Sequence, residues 1–396
     1  MDKILFLTTE LPYPLDSGGK IRTYNMLEGL SEKFNIDIIC FSEKENINYE
    51  IEKLKGICTD IQVVKKIYTN KSSKITLIKN VLKSIILNKP FIITKFSDKS
   101  YKKLVKGKLE SNKYSKIIVD HLQVAQFIND DLMKKAILSE HNCEYLILKR
   151  MYEETNNIIK KIYLKYEYEK LKKYEKKVCK HINKVILLSE EDKKALVDSD
   201  YNGENVYLIP ISVDTEYVKT RKNIKTRKNN ILFMGTMSWL PNEQGILWFL
   251  ENVWSKLQED GYKLYIVGKN PSNEIIKYKS NSVIVTGYVD DINEYIEKCD
   301  FCIVPLFIGG GMRVKILESM AKKIPTISTT VGAEGISVKD GIDILIANTP
   351  DEFIAKIKDL DNDELYNNII ENAAKIIDEK YSIKSVNEQI IKYLFE

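Results

Sequence analysis

The sequence predicts an α/β protein made of two doubly wound, parallel-sheet domains. Three observations lead there. A chain of 396 residues exceeds what one ordinary hydrophobic core takes. Short apolar runs alternate with helical stretches along the whole length. Both halves open in the same way, with a strand, a glycine-containing turn and a helix.

The first half begins with the apolar strand 3–9 and a turn-rich loop holding Pro12, Pro14, Asp16, Ser17, Gly18 and Gly19. A helix from about Ile21 to Phe34 and a strand over 36–41 follow, which together start a parallel sheet. A later strand over 116–119 ends at Asp120-His121, a long charged helix is expected over 153–180, and 185–189 returns to strand. The second half repeats the plan: strand 231–234 ending at Gly235, helix 241–258, then strands at 263–267, 283–286, 301–305, 326–329 and 344–346. The proline-led, polar segment 209–230 reads as a linker. The expected division is therefore an N-terminal domain over 1–208, a linker over 209–230 and a C-terminal domain over 231–384. A last helix over 385–396 has no strand after it and is expected to cross back to the first domain. In open sheets of this kind, ligands bind beyond the strand C-termini, so function is sought in the loops there.

Composition narrows the class. Hydrophobic residues make up 44% and charged residues 30%, as in a globular, water-exposed protein. Six scattered cysteines suit a reducing compartment; Cys299 and Cys302 form a C-x-x-C, but with no second ligand pair they read as buried strand residues. The apolar start 4–7 is too short for a signal peptide, and no apolar run approaches the roughly 18 residues that span a bilayer. The expected location is cytoplasmic, or peripheral on the inner face of the membrane. Residues 1–200 carry 38 Lys+Arg against 28 Asp+Glu, and 61–116 hold 15 lysines against two acids. Within that segment 75–87 reads as an amphipathic helix, with Ile75, Ile78, Leu82 and Ile85 on one face and Lys79 and Lys83 off it, a pattern that fits an anionic membrane surface. Scarce arginine and no aromatic–basic interleaving argue against nucleic acid.

The most informative stretch is 301–322: a strand, then Gly309-Gly310-Gly311-Met312-Arg313-Val314-Lys315, then a helix over 316–322. Glycines let the backbone approach a ligand closely, and the free N–H groups and dipole at a helix start attract an anion. The chain has only five arginines among 61 basic residues, and one of them stands here. A planar, bidentate donor in that place suits a diphosphate. Glu318, three residues beyond Lys315, is placed to accept hydrogen bonds from a ribose diol.

With these segments the chain resembles glycosyltransferase family 4, a retaining family of the GT-B fold with two Rossmann-like domains facing across a cleft. The likeness runs through PLDSGG, VDH, LIPISVD, FMGTMSWLPNEQG, GGGMRVKILESMA and TTVGAEG. It implies that Arg313 and Lys315 act on the donor diphosphate beside Gly310, Gly311 and Met312. Glu318 is then the ribose ligand, Gly287-Tyr288-Val289 reads the base, and Gly18 and Gly19 lie against phosphates or acceptor. His121 corresponds to the family's sugar-contacting histidine. Two features depart from the family. The first glutamate of E-x₇-E is replaced by Gly310, and Gly235-Thr236-Met237 stands where Arg and Lys are common, as in a variant branch that puts more charge on the glycine loop.

The resemblance implies a hexosyltransferase-type, metal-independent enzyme that needs no cofactor beyond its nucleotide-sugar donor. Its acceptor is expected to be a glycan or lipid-linked glycan of cell-surface polysaccharide synthesis. His141 also follows a short apolar run and is a second acceptor-facing candidate; His181, at a helix-to-strand junction, reads as structural. No D-x-D stands in the expected site, and Asp290-Asp291 reads as a helix cap. Two alternatives are a non-catalytic partner subunit and a nucleotide-sugar epimerase. A nicotinamide dehydrogenase fits poorly, because Gly18-Gly19 lacks G-x-G-x-x-G spacing.

Overall fold

The structure, a computed structural model, describes residues 1–66, 81, 83–215, 229–309 and 311–395. Gly310 lies outside the described residues. So do Ile75, Ile78, Lys79 and Leu82 of the expected basic helix, and residues 216–228 of the expected linker.

The chain forms two compact units, Met1–Ile211 with Val386–Glu396 and Ser212–Ser385. The first holds a seven-stranded sheet: β1 (Asp2–Thr8), β2 (Phe34–Ser42), β3 (Asp60–Lys65), β4 (Lys116–Asp120), β5 (Ala136–Ser139), β6 (Lys184–Leu187) and β7 (Val206–Leu208), ordered β3-β2-β1-β4-β5-β6-β7. Every pair is parallel. The two-residue period of a strand divides the core: Leu5 and Leu7 of β1 pack on one face with Phe41 and Val119, while Ile4 and Phe6 pack on the other with Ile36 and Ile118. Val386, Ile390 and Leu394 of the last helix (Ile383–Leu394) join the second of these clusters.

The second unit has β8 (Asn230–Met234), β9 (Lys263–Val267), β10 (Val283–Gly287), β11 (Phe301–Val304), β12 (Thr326–Ser328) and β13 (Leu345–Ile346), ordered β10-β9-β8-β11-β12-β13 and also parallel. In both units the strand order reverses beside the first strand. The crevices at β1/β4 and β8/β11 are thus topological switch points, where open α/β sheets bind ligands.

Three helices differ from the sequence expectation. The first starts at Gly18, not Ile21, because the Ser17 hydroxyl accepts from the Lys20 amide at 3.4 Å and caps the helix Gly18–Ser31. Gly18 and Gly19 are therefore its first turn and not a loop. The long charged stretch is two helices, Glu144–Glu154 and Ile158–His181, the second nucleated by Asn157, whose side chain accepts from the Lys160 amide at 2.9 Å. The stretch 241–258 likewise breaks at Val253 into Leu240–Asn252 and Trp254–Glu259.

Candidate functional site

In the second unit, β8 and β11 end side by side and their following loops carry the predicted cations. The helix after β11 runs Val314–Ala321 and so starts two residues earlier than expected; Arg313 is its N-cap and Lys315 lies in its first turn. Gly309 has φ +118°, and a Cβ there would stand 2.9 Å from Nη2 of Arg313 and 3.4 Å from the Trp239 ring. Gly235, at φ +153°, would bring a Cβ within 2.9 Å of Nζ of Lys315. Only glycine leaves room for both basic side chains.

Those side chains are held, not solvated. Arg313 is 4% exposed; its Nη1 donates to the Gly311 carbonyl at 2.6 Å, and its guanidinium lies 5.5 Å from the centre of the Trp239 ring. Nζ of Lys315 donates to Oδ1 of Asn242 at 2.6 Å and sits 4.8 Å over Phe233. Burial, with the Arg313 charge adding to it, pushes the Lys315 ammonium down to about 8. Burial raises the Glu318 carboxyl above its ordinary range, and among the described residues that carboxyl has no hydrogen-bond or ion-pair partner. Two cations and a helix N-terminus gathered in a partly desolvated pocket repel one another, and an anion placed among them relieves that repulsion. Met312 is buried beneath the turn. Gly287 ends β10 at φ +73°, followed by exposed Tyr288 and half-buried Val289. Three residues of the pocket were not singled out in the sequence: Phe233, Trp239 and Asn242. Phe233 lies in β8 and Trp239 and Asn242 in the loop and helix after it, and the signal was the loss there of basic residues, which leaves aromatic and amide side chains to hold the cations donated by the other loop.

In the first unit, β4 ends at Asp120, which is fully buried. One carboxylate oxygen accepts from the hydroxyls of Thr8 at 3.0 Å and Thr23 at 2.7 Å; the other is 2.8 Å from Nε2 of His141. His121, at φ +86°, turns its Nδ1 back to 3.2 Å from the carboxylate and 2.7 Å from its own preceding carbonyl. That left-handed conformation costs a non-glycine residue roughly 1–3 kcal/mol. The two imidazoles stack at 3.7 Å over the one carboxylate, and a Cβ on Gly19 would lie 3.4 Å from Nδ1 of His141. His181, by contrast, only caps its own helix through the Lys177 carbonyl.

The stacked rings differ in charge. Although burial lowers both, Asp120 outweighs it at His121 and raises that ring above 6.5; burial and the neighbouring His121 push His141 down to about 4. The Asp120 carboxyl, despite its burial, is held well below 3.8 by the two histidines. We expect NMR titration to show the His121 ring protonated at pH 6 and the His141 ring neutral down to about pH 4; two rings titrating together near 6.5 would contradict this geometry. The ligand atoms of Asp120, His121 and His141 lie within 4.8 Å of one another. A metal ion there would have to displace the hydrogen bonds that already join them.

Comparison with known proteins agrees with this layout. Residues 228–363 match the family model described as glycosyl transferases group 1. The chain is 26% identical over 411 aligned positions to the 44.6 kDa protein in the cps region of Klebsiella pneumoniae, covering 99% of this chain and 100% of that one. Among solved structures it is similar to HepE of Anabaena in complex with UDP and glucose (TM-score 0.68, 13% identity, 100% of this chain and 99% of that one). It is also similar to WaaG, a glycosyltransferase involved in lipopolysaccharide biosynthesis (TM-score 0.65, 12% identity, 99% of each). The second unit thus carries a segment that matches glycosyl transferases group 1, on a chain with the α/β fold of solved GT-B glycosyltransferases.

Proposed function

We propose that the protein is a retaining glycosyltransferase that moves a sugar from a nucleoside diphosphate sugar to a glycan or lipid-linked glycan. The observation that supports it most is the pair of cations, buried Arg313 and half-buried Lys315, at the start of a helix that follows a parallel strand. In this reading the amides of the first turn and both cations bind the donor diphosphate. Glu318 accepts from the ribose hydroxyls, Gly287-Tyr288-Val289 lines the base, and Gly310, Gly311 and Met312 allow close approach. On the first unit His121 contacts the sugar, and Gly18 and Gly19 begin the helix beside it.

The chemistry follows from charge. As the bond from the anomeric carbon to the diphosphate oxygen breaks, negative charge grows on that oxygen, and Arg313 and Lys315 neutralise it, a contribution worth about 3–4 kcal/mol for one well-placed donor. The acceptor hydroxyl attacks on the face the diphosphate leaves, and a phosphate oxygen takes its proton. No side-chain base and no metal ion are needed. The match to a cps-region protein supports polysaccharide synthesis as the setting.

A panel of nucleoside diphosphate sugars, assayed for nucleotide release with and without glycan acceptors, tests the reading; release from none of them would favour the non-catalytic partner subunit instead. Donor binding should also depend on pH. Because the diphosphate prefers the charged Lys315, affinity is expected to be full below about pH 8 and to fall as pH rises through it. Calorimetric titration with UDP and GDP between pH 7 and 9 reads the effect, and flat affinity would contradict it.

A further inference from the structure

We infer that the first unit carries a face, built on the helix Ile158–His181 and the adjoining segment 83–90, that docks on an anionic lipid bilayer. This goes beyond glycosyl transfer and does not depend on it. Helical spacing puts Ile158, Ile159, Ile162, Tyr163 and Tyr166 on one side, opposite the buried side of Leu164, Leu171 and Val178. The isoleucines are among the most exposed large apolar residues described: Ile159 is 83% exposed, Ile158 75% and Ile162 68%.

The segment 83–90 extends the same surface. Glu167 ties it down: one oxygen accepts from the Phe91 amide at 2.8 Å and the other from the Ser84 hydroxyl at 3.4 Å, while Nζ of Lys170 reaches the Ser84 hydroxyl at 3.0 Å. A shallow groove between them is lined by Asn88, Pro90, Ile162 and Tyr166. Directly before it Ile85, Ile86 and Leu87 are exposed, Ile86 to 80%. Isoleucines at such exposure on two segments tied together through Glu167 put more apolar surface in water than isolated surface residues do.

Charge selects the occupant. The helix holds nine lysines against three glutamates, and of those glutamates only Glu169 is exposed. Toward its C-terminal end the outward side turns from isoleucine to Lys173 and Lys177, while Lys83 and Lys89 flank the apolar residues of the other segment. Among the described residues Lys160, Lys165, Lys173 and Lys177 make no ion pair. A second copy meeting this face about a two-fold axis would oppose lysine to lysine. Anionic headgroups neutralise the lysines, and the interface beneath them accepts the isoleucines.

Vesicle sedimentation of the full chain, without nucleotide, tests this. The protein should pellet with vesicles of phosphatidylglycerol in phosphatidylcholine, much less with phosphatidylcholine alone, and less as salt is raised. Ile158→Ser/Ile159→Ser/Ile162→Ser should cut binding at least about tenfold. Lys165→Glu/Lys173→Glu/Lys177→Glu should do the same by charge, with unchanged circular dichroism in both variants. No pelleting with phosphatidylglycerol, or equal pelleting of the isoleucine variant, would overturn the proposal. So would a wild-type dimer in sedimentation velocity that the isoleucine variant converts to monomer, since the face would then be a self-interface. Because no donor is present, failure here is distinguishable from failure of the transferase reading.

Discussion

Replacing Arg313 by alanine is expected to lower the rate of sugar transfer by about 10²–10³-fold. Its guanidinium is buried at the helix N-cap and fixed by the Gly311 carbonyl and the Trp239 face, so in the proposed role it would meet the leaving diphosphate without reorganising. Arg313→Lys should recover only part of the loss, because a single ammonium on a flexible stem does not reproduce the planar fork. Lys315→Ala should act in the same direction. The loss should fall on kcat more than on KM, since charge on the departing oxygen is largest in the transition state. Steady-state kinetics with the preferred donor, alongside thermal melting to show that the loop still folds, reads this. Wild-type kcat in Arg313→Ala would contradict the assigned role.

Asp120→Ala is expected to destabilise the first unit by about 3–5 kcal/mol. The carboxylate is fully buried and serves two hydroxyls and two imidazoles, so its removal leaves four groups without their acceptor at once. Buried Arg22, whose guanidinium is favoured by the same charge, loses that support too. The pH dependence has a definite sign. Asp120, held well below 3.8, contributes stability above that value that is lost as pH falls through its folded pKa. His121, raised above 6.5, contributes stability below 6.5 that is lost as pH rises through its folded pKa. Urea unfolding of wild type and variant from pH 2 to 8 separates the two contributions, Asp120 acting at the acid end and His121 at the neutral end. A variant as stable as the wild type would show that the network is ornamental.

Most strands were legible because a parallel strand is an apolar run, and the two-domain plan because both halves repeat it; the half-exposed edge strands β3 and β7 and the four-residue β5 were not read. The position of Arg313 and Lys315 at a helix start was legible for a different reason: cations beside glycines there oppose the dipole, and that conflict shows in the letters. What stayed hidden is long-range. Nothing in the spacing joins Thr8, Thr23, Asp120 and His141, which only the switch point at β1/β4 brings together. Asn242 and Trp239 likewise reach Lys315 and Arg313 only because β8 pairs with β11. Helix boundaries failed where one capping side chain decides them, Ser17 and Asn157 being the cases. The same caps decide where Gly18 and Gly19 stand and where the isoleucine-rich helix begins.

A crystal structure with UDP or GDP bound tests the central claim most directly. The diphosphate is predicted to lie within hydrogen-bond distance of the first-turn amides after Gly311, with Arg313 and Lys315 as its charged ligands and Glu318 at the ribose. A nucleotide bound elsewhere, or a diphosphate that touches neither Arg313 nor Lys315, would contradict it.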